Sequence, residues 1–174
     1  MILLLTMAAL KSFKKTSNMF LGYRPPKKLR ALFIVHYAPL LLIIMIGPLT
    51  ALYGVWKLPI NIIISITCGI TIFILGTYVY FKWEIFWNKT YKGQLVTGGI
   101  FQNIRHPHYT SLIIVGFGLA LFFYSIAALF IAIISVPIMI WSIIDEEKLL
   151  IKQYGEKYIE YMKKVPWRLI PRLF

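Results

Sequence analysis

The 174-residue chain contains one cysteine and six acidic residues. A single thiol, Cys68, allows no intrachain disulfide, no CxxC redox pair and no thiolate metal cluster, and within its apolar surroundings it reads as a small packing residue. No metal is expected. Charge of any kind is sparse, at 14% against about 25% in soluble globular chains, whereas apolar residues make up 59% against roughly 45–50%. This balance excludes an ordinary soluble domain and makes the bilayer the first solvent to consider. The formal net charge of +13 does not imply a nucleic-acid partner, because the basic residues are confined to gaps between apolar runs. No internal repeat or low-complexity segment interrupts the pattern.

A helix rising 1.5 Å per residue needs about 20 apolar residues to cross about 30 Å of hydrocarbon. Residues 31–56 and 59–81 each run without Lys, Arg, Asp or Glu. Residues 109–144 are too long for one crossing and suit two short ones of about 17 residues, turning near 123–125. Basic residues stay on the cytoplasmic side of a membrane, and four crossings place every Lys and Arg except Lys57 on one side. The expectation is an all-α, multi-pass integral membrane protein in one domain, 1–174, with four transmembrane helices. Its parts are an N-terminal interfacial segment (1–30), two spans (31–81), a cytoplasmic loop (82–108), a helical hairpin (109–144) and a cytoplasmic amphipathic helix and tail (145–174). Residues 1–10 are apolar but too short to cross, and 1–21 form at most a fifth, partial span. Pro39, Pro48 and Pro137 fall within spans, where neighbouring helices can satisfy the freed carbonyls.

Two polar clusters remain. The segment 93–109 carries Gly93, Gly98 and Gly99, which let backbone groups approach a ligand closely, and then Arg105, His106 and His108. The second cluster is Asp145, Glu146 and Glu147 at the end of the last span. A hairpin brings these clusters to one membrane depth. Three acids at a membrane boundary are costly unless matched by a cation, which is either Arg105 or a positively charged ligand.

The order Arg105-His106-Pro107-His108-Tyr109, hairpin, Glu146-Glu147, Leu149-Leu150, Tyr154-Gly155, Tyr158, Tyr161 and Val165-Pro166 resembles the C-terminal half of the isoprenylcysteine carboxyl methyltransferase family and its phospholipid methyltransferase relatives. The resemblance covers roughly residues 93–171. It implies an S-adenosylmethionine cofactor contacted by Gly93, Gln94, Leu95, Val96, Phe101, His106, Pro107, His108, Tyr109 and Glu146. It also implies methyl transfer to a lipophilic acceptor drawn from the bilayer, with membrane lipids as further partners. A carboxylate beside aromatic faces suits a sulfonium and ammonium ligand. Where carboxyl methyltransferases of this family carry an arginine for the acceptor carboxylate, this chain has Ser142, which cannot form a bidentate charged pair. Ser142 is thus the candidate substrate-binding position, with Arg105 or a basic residue of the tail as a substitute cation and His108 as a base for an amine nucleophile. The implied activity is isoprenylcysteine carboxyl O-methylation, with phospholipid amine N-methylation as the alternative. A nicotinamide-dependent membrane reductase and a non-enzymatic adaptor, in which Arg105 pairs with Glu146 or Glu147, are the competing readings.

Overall fold

In the computed structural model residues 29–173 are described, with side chains from residue 36 onward. The expected N-terminal interfacial segment therefore lies largely outside the described residues. Five α-helices follow in order: α1 (Leu29–Tyr53), α2 (Ile62–Thr90), α3 (Pro107–Phe122), α4 (Ile126–Tyr154) and α5 (Glu156–Lys164). A 3-10 turn, Gly99–Gln102, lies in the loop between α2 and α3.

Sequence-local chemistry sets the ends. Asn61 caps α2 by accepting from the amides of Ile63 and Ile64, at 2.9 and 3.3 Å. Pro107 opens α3, where its missing N–H costs nothing. The Ser125 hydroxyl accepts from Ala128 N at 3.1 Å and starts α4, so the hairpin turns at 123–125 as expected. Gly155, with φ of +57°, separates α4 from α5 in a conformation that side chains disfavour.

Among the described residues, three helices are long and apolar enough to cross a bilayer: His36–Tyr53 within α1, then α2 and α4. This is the build of an integral membrane protein. The first arm of the expected hairpin is the shorter apolar helix α3, whose 16 residues reach about 24 Å. The short helix is nevertheless central, packing against α1, α2 and α4. Small residues let it approach α2. A Cβ on Gly69 would strike the backbone of Phe122, and one on Gly118 would come within 2.5 Å of Phe73 N. One correction concerns the loop expected at 82–108. Helix α2 continues to Thr90, because Trp83 and Glu84 turn inward while Lys82 and Lys89 stay exposed.

At the end of the bundle that carries Lys57 the two turns interlock. Ile126 N donates to Trp56 O at 2.8 Å, and Tyr124 Oη donates to Ile60 O at 2.7 Å. At the basic end, aromatic residues build the core. Phe101, Tyr109, Tyr158 and Tyr161 are buried with Tyr80 and Trp83 of α2 and with Met139 and Ile143 of α4. The segment after α5 then lies over the start of α3. Arg105 N and His106 N donate to Trp167 O and Arg168 O, both at 2.9 Å, and Thr110 Oγ1 donates to Leu169 O at 2.8 Å.

Candidate active site

The site forms where the start of α3 meets α4. Arg105 and His106 precede Pro107, and the backbone pairing with residues 167 and 168 fixes their direction. Arg105 is buried, 6% exposed. Its guanidinium donates to Glu147 Oε1 from Nε at 2.8 Å and approaches the same oxygen through Nη2 at 2.7 Å; Nη1 donates to Val165 O at 2.6 Å. His106 Nε2 lies 3.2 Å from Glu147 Oε1, and Arg168 Nε donates to Glu147 Oε2 at 3.0 Å. Glu147 is therefore answered on both oxygens by side chains of this protein, as a buried carboxylate requires.

The neighbouring carboxylate differs. Successive residues on a helix point about 100° apart, so Glu146 leaves this lattice. Its Oε2 accepts from Tyr109 Oη at 2.6 Å and lies 3.9 Å from His106 Nδ1, and the side chain keeps 37% of its exposure. Tyr109 Oη is also 3.2 Å from Ser142 Oγ, which in turn meets His36 Nε2 at 3.2 Å. The His36 ring stands edge-on to Tyr109, with centroids 4.4 Å apart. Asp145, the third acid of the cluster, pairs with Lys148 at the surface, at 3.2 Å. Of the two cations open for the cluster, Arg105 answers Glu147, Lys148 answers Asp145, and Glu146 stays partly exposed.

His108 stands beside Tyr109, with ring centroids 6.0 Å apart. Its Nε2 is 3.3 Å from Tyr37 Oη, its ring lies 4.2 Å from that of Trp83, and its Nδ1 is buried without a hydrogen-bond partner among the described residues. His36 touches both rings, its centroid 5.9 Å from that of His108.

The other residues expected at the site divide. Leu95, Val96 and Phe101 join the aromatic core beneath α5, and Tyr161 Oη fixes the turn by donating to Phe101 O at 2.7 Å. Burial raises the Tyr158 and Tyr161 phenols above their ordinary pKa, so both stay protonated donors. Gly99, with φ of +59°, permits the turn to press on Phe86, whose ring would meet an added Cβ at 2.5 Å. Gly93 and Gln94 lie at the exposed rim. Gln94 turns back on α2, its Nε2 donating to Thr90 O at 2.9 Å, while Gly93 O accepts from Tyr154 Oη at 3.5 Å. Tyr154 and Glu146 share α4 and are eight residues apart, which separates the glycine-bearing rim from the Glu146 carboxylate by about 12 Å along the helix.

Sequence reasoning passed over His36, Tyr37, Glu84 and Arg168. His36 was identifiable as one of three histidines, lying in an apolar run, and Glu84 as one of six acids, one turn after Tyr80. Arg168 carried no local signal, because its role depends on the return of the tail over α3.

The model of one protein family, the phospholipid methyltransferases, matches residues 36–157. The match begins at His36 and takes in both carboxylates of the α4 site, the α3 start and nearly all of the four-helix bundle. No curated protein matches the chain. Since the family match covers well over half of the 174 residues and contains the assembled site, the chain belongs to the phospholipid methyltransferase family, a family of membrane methyltransferases.

Proposed function

We propose that this protein transfers a methyl group from S-adenosylmethionine to a lipophilic acceptor taken from the bilayer, with the basic end of the bundle in the cytosol. The observation that carries the reading is the unequal treatment of two adjacent carboxylates. Glu147 is held by Arg105, Arg168 and His106, whereas Glu146 has a phenol donor, a more distant imidazole and remaining exposure. A partly desolvated carboxylate beside aromatic rings suits a ligand carrying ammonium and sulfonium charge.

In this reading Glu146 and Tyr109 hold the cationic part of the cofactor, with His106 beside them, and the loop of Leu95, Val96 and Phe101 contributes apolar surface. Bound there, S-adenosylmethionine supplies an electrophilic methyl carbon whose leaving group is a neutral thioether. The protein's own task is to orient the acceptor and exclude water, which is the main demand of an in-line displacement. Tyr109 fixes the Glu146 carboxylate through its hydroxyl, and Ser142 and His36 fix Tyr109. Arg105 supports the floor by neutralising Glu147.

For the acceptor, a prenylated thiol-carboxylate would need a cation near Ser142. Arg105 and Arg168 both bond Glu147 instead, and Ser142 bonds His36 and Tyr109. An amine acceptor needs a proton carrier, and His108 Nδ1, buried and without a described partner, is able to take that proton. The lipid-amine reading therefore stands ahead of the carboxylate one. The adaptor reading accounts for the Arg105–Glu147 pair but leaves Glu146 and His108 Nδ1 without a role.

Membranes containing the protein, incubated with methyl-labelled S-adenosylmethionine and extracted with organic solvent, test the proposal. Label should appear in an amine-bearing lipid and fall sharply with Glu146→Gln. Absence of label from every lipid and membrane-protein fraction would overturn it.

A further inference from the structure

The hydrogen bonds around Tyr109 form a chain whose direction follows from counting hydrogens, because a hydroxyl group has one to donate. Tyr109 Oη uses its hydrogen on Glu146 Oε2, at 2.6 Å. In its 3.2 Å bond with Ser142 Oγ the serine therefore donates. Ser142 then has no hydrogen left, so in its 3.2 Å bond with His36 Nε2 the imidazole donates. The order is fixed from end to end: His36 Nε2–H to Ser142 Oγ–H to Tyr109 Oη–H to the Glu146 carboxylate. A neutral His36 in this chain carries its hydrogen on Nε2 and keeps Nδ1 as its basic nitrogen.

The chain leads outward. Ser142 and Tyr109 are 7% and 3% exposed, whereas the Glu146 side chain keeps 37%. At the inner end, His36 of α1 stands edge-on to Tyr109 and 5.9 Å, ring to ring, from His108. The titratable groups around His36 are Tyr37 on its own helix and His106, His108 and Tyr109 at the start of α3. From α4 it meets Ser142 and, through Tyr109, Glu146. Chains of His, hydroxyl and carboxylate groups in apolar surroundings are suited to moving protons, since each hydroxyl accepts from one neighbour while donating to the next.

We propose that His36, Ser142 and Tyr109 form a relay that carries the acceptor amine's proton out to Glu146 and water. This rests on the methyltransferase reading with an amine acceptor and adds to it the route by which the proton leaves. An ammonium must lose one proton before its nitrogen lone pair attacks the methyl carbon. His108 takes that proton and His36 receives it at Nδ1. The His36 Nε2–H bond then breaks as Ser142 Oγ gains the hydrogen, Ser142 passes its own to Tyr109 Oη, and Tyr109 passes its own to Glu146 Oε2. Glu146 releases one proton to water, and no electron enters or leaves the chain. Rotation of the two hydroxyls and return of the imidazole to its Nε2–H form reset the relay. His36 touches neither cofactor nor acceptor in this scheme, so its substitution separates rate from cofactor affinity.

Two measurements test the relay on the detergent-purified full chain. Nuclear magnetic resonance of protein labelled in its histidine nitrogens distinguishes the two neutral tautomers. Only three histidines are present, and His36 is assigned by the signals that vanish in His36→Gln. The expected result is the Nε2–H form for His36, altered in Ser142→Ala; a neutral His36 in the Nδ1–H form would overturn the proposal. The second measurement is the pH profile of methyl transfer. Glutamine at position 36 keeps an N–H to donate to Ser142 but has no basic nitrogen, so a merely structural role would survive the change. His36→Gln should hold S-adenosylmethionine as tightly as the parent in calorimetry, while transfer falls roughly hundredfold, the scale of one lost proton carrier, and one inflection leaves the profile. A folded His36→Gln protein with the parental rate and profile would overturn the relay. If His36→Gln fails to fold, the tautomer in the unsubstituted chain decides, with His36 assigned from the signals that Ser142→Ala shifts. Absence of any methyl transfer by the unsubstituted chain would instead remove the methyltransferase reading, and the direction of the chain would stand or fall on the tautomer alone.

Discussion

Replacing Arg105 by Met should destabilise the protein more than replacing Arg105 and Glu147 together. Three guanidinium nitrogens reach Glu147 Oε1 or Val165 O within 2.8 Å, and the side chain is buried. Removing one member of a buried pair leaves an uncompensated charge, a loss of about 3–5 kcal/mol. Arg168, with 31% side-chain exposure, still donates to Glu147 Oε2, and His106 remains beside Oε1. The loss should therefore sit near the lower end, about 3 kcal/mol. The double substitution Arg105→Met with Glu147→Met removes the stranded carboxylate as well. Its loss should be smaller than that of either single variant, because the buried charge disappears with its partner. Unfolding in mixed detergent micelles, followed by circular dichroism, gives the four corners of the cycle. A double variant whose loss equals the sum of the two single losses would refute the reasoning, since it would mean that the two residues do not interact.

Further outcomes follow from the same structure. Gly118→Val should separate α2 from α3 and destabilise the fold by about 1–3 kcal/mol, the usual range for overpacking, measured by the same unfolding assay. Ser125→Ala removes the cap of α4 and should cost about 1 kcal/mol without altering ligand affinity in calorimetry. Gly99→Ala strains a positive φ and presses on Phe86, so limited proteolysis should cut the loop between α2 and α3 faster than in the parent chain. His108→Ala should lower methyl transfer and change its pH profile while cofactor binding persists; an unchanged rate and profile would remove His108 from the reaction.

The crossings were legible because bilayer hydrocarbon excludes charge, and residues 31–56, 59–81 and 109–144 have none. The turn at 123–125 followed from length alone. The extent of α2 was not legible from that criterion. Lys82 ends the apolar run but not the helix, since a basic side chain on the outer face leaves the inward face of Trp83, Glu84 and Trp87 intact. The shortness of α3 was legible in the length of 109–144, which allows two arms of about 17 residues, but its close approach to α2 through Gly69, Gly76 and Gly118 was not. The convergence of Arg105 and His106 with the α4 acids was readable from hairpin geometry. Which acid meets the arginine was not. Glu146 and Glu147 have the same chemistry, and only the rotation of α4, set by packing of Met139 and Ile143 in the core, decides which one points at Arg105. Arg168 and the tail crossing α3 depend on contacts across 60 or so residues, which no local pattern specifies.

The most direct test measures S-adenosylmethionine binding by calorimetry to the detergent-purified protein and to folded Glu146→Gln. The expected result is saturable binding to the parent chain, weakened roughly tenfold to hundredfold when the carboxylate becomes a neutral amide. An undiminished affinity in Glu146→Gln, or no binding to the parent chain at all, would contradict the assignment of Glu146 as the cation-holding carboxylate.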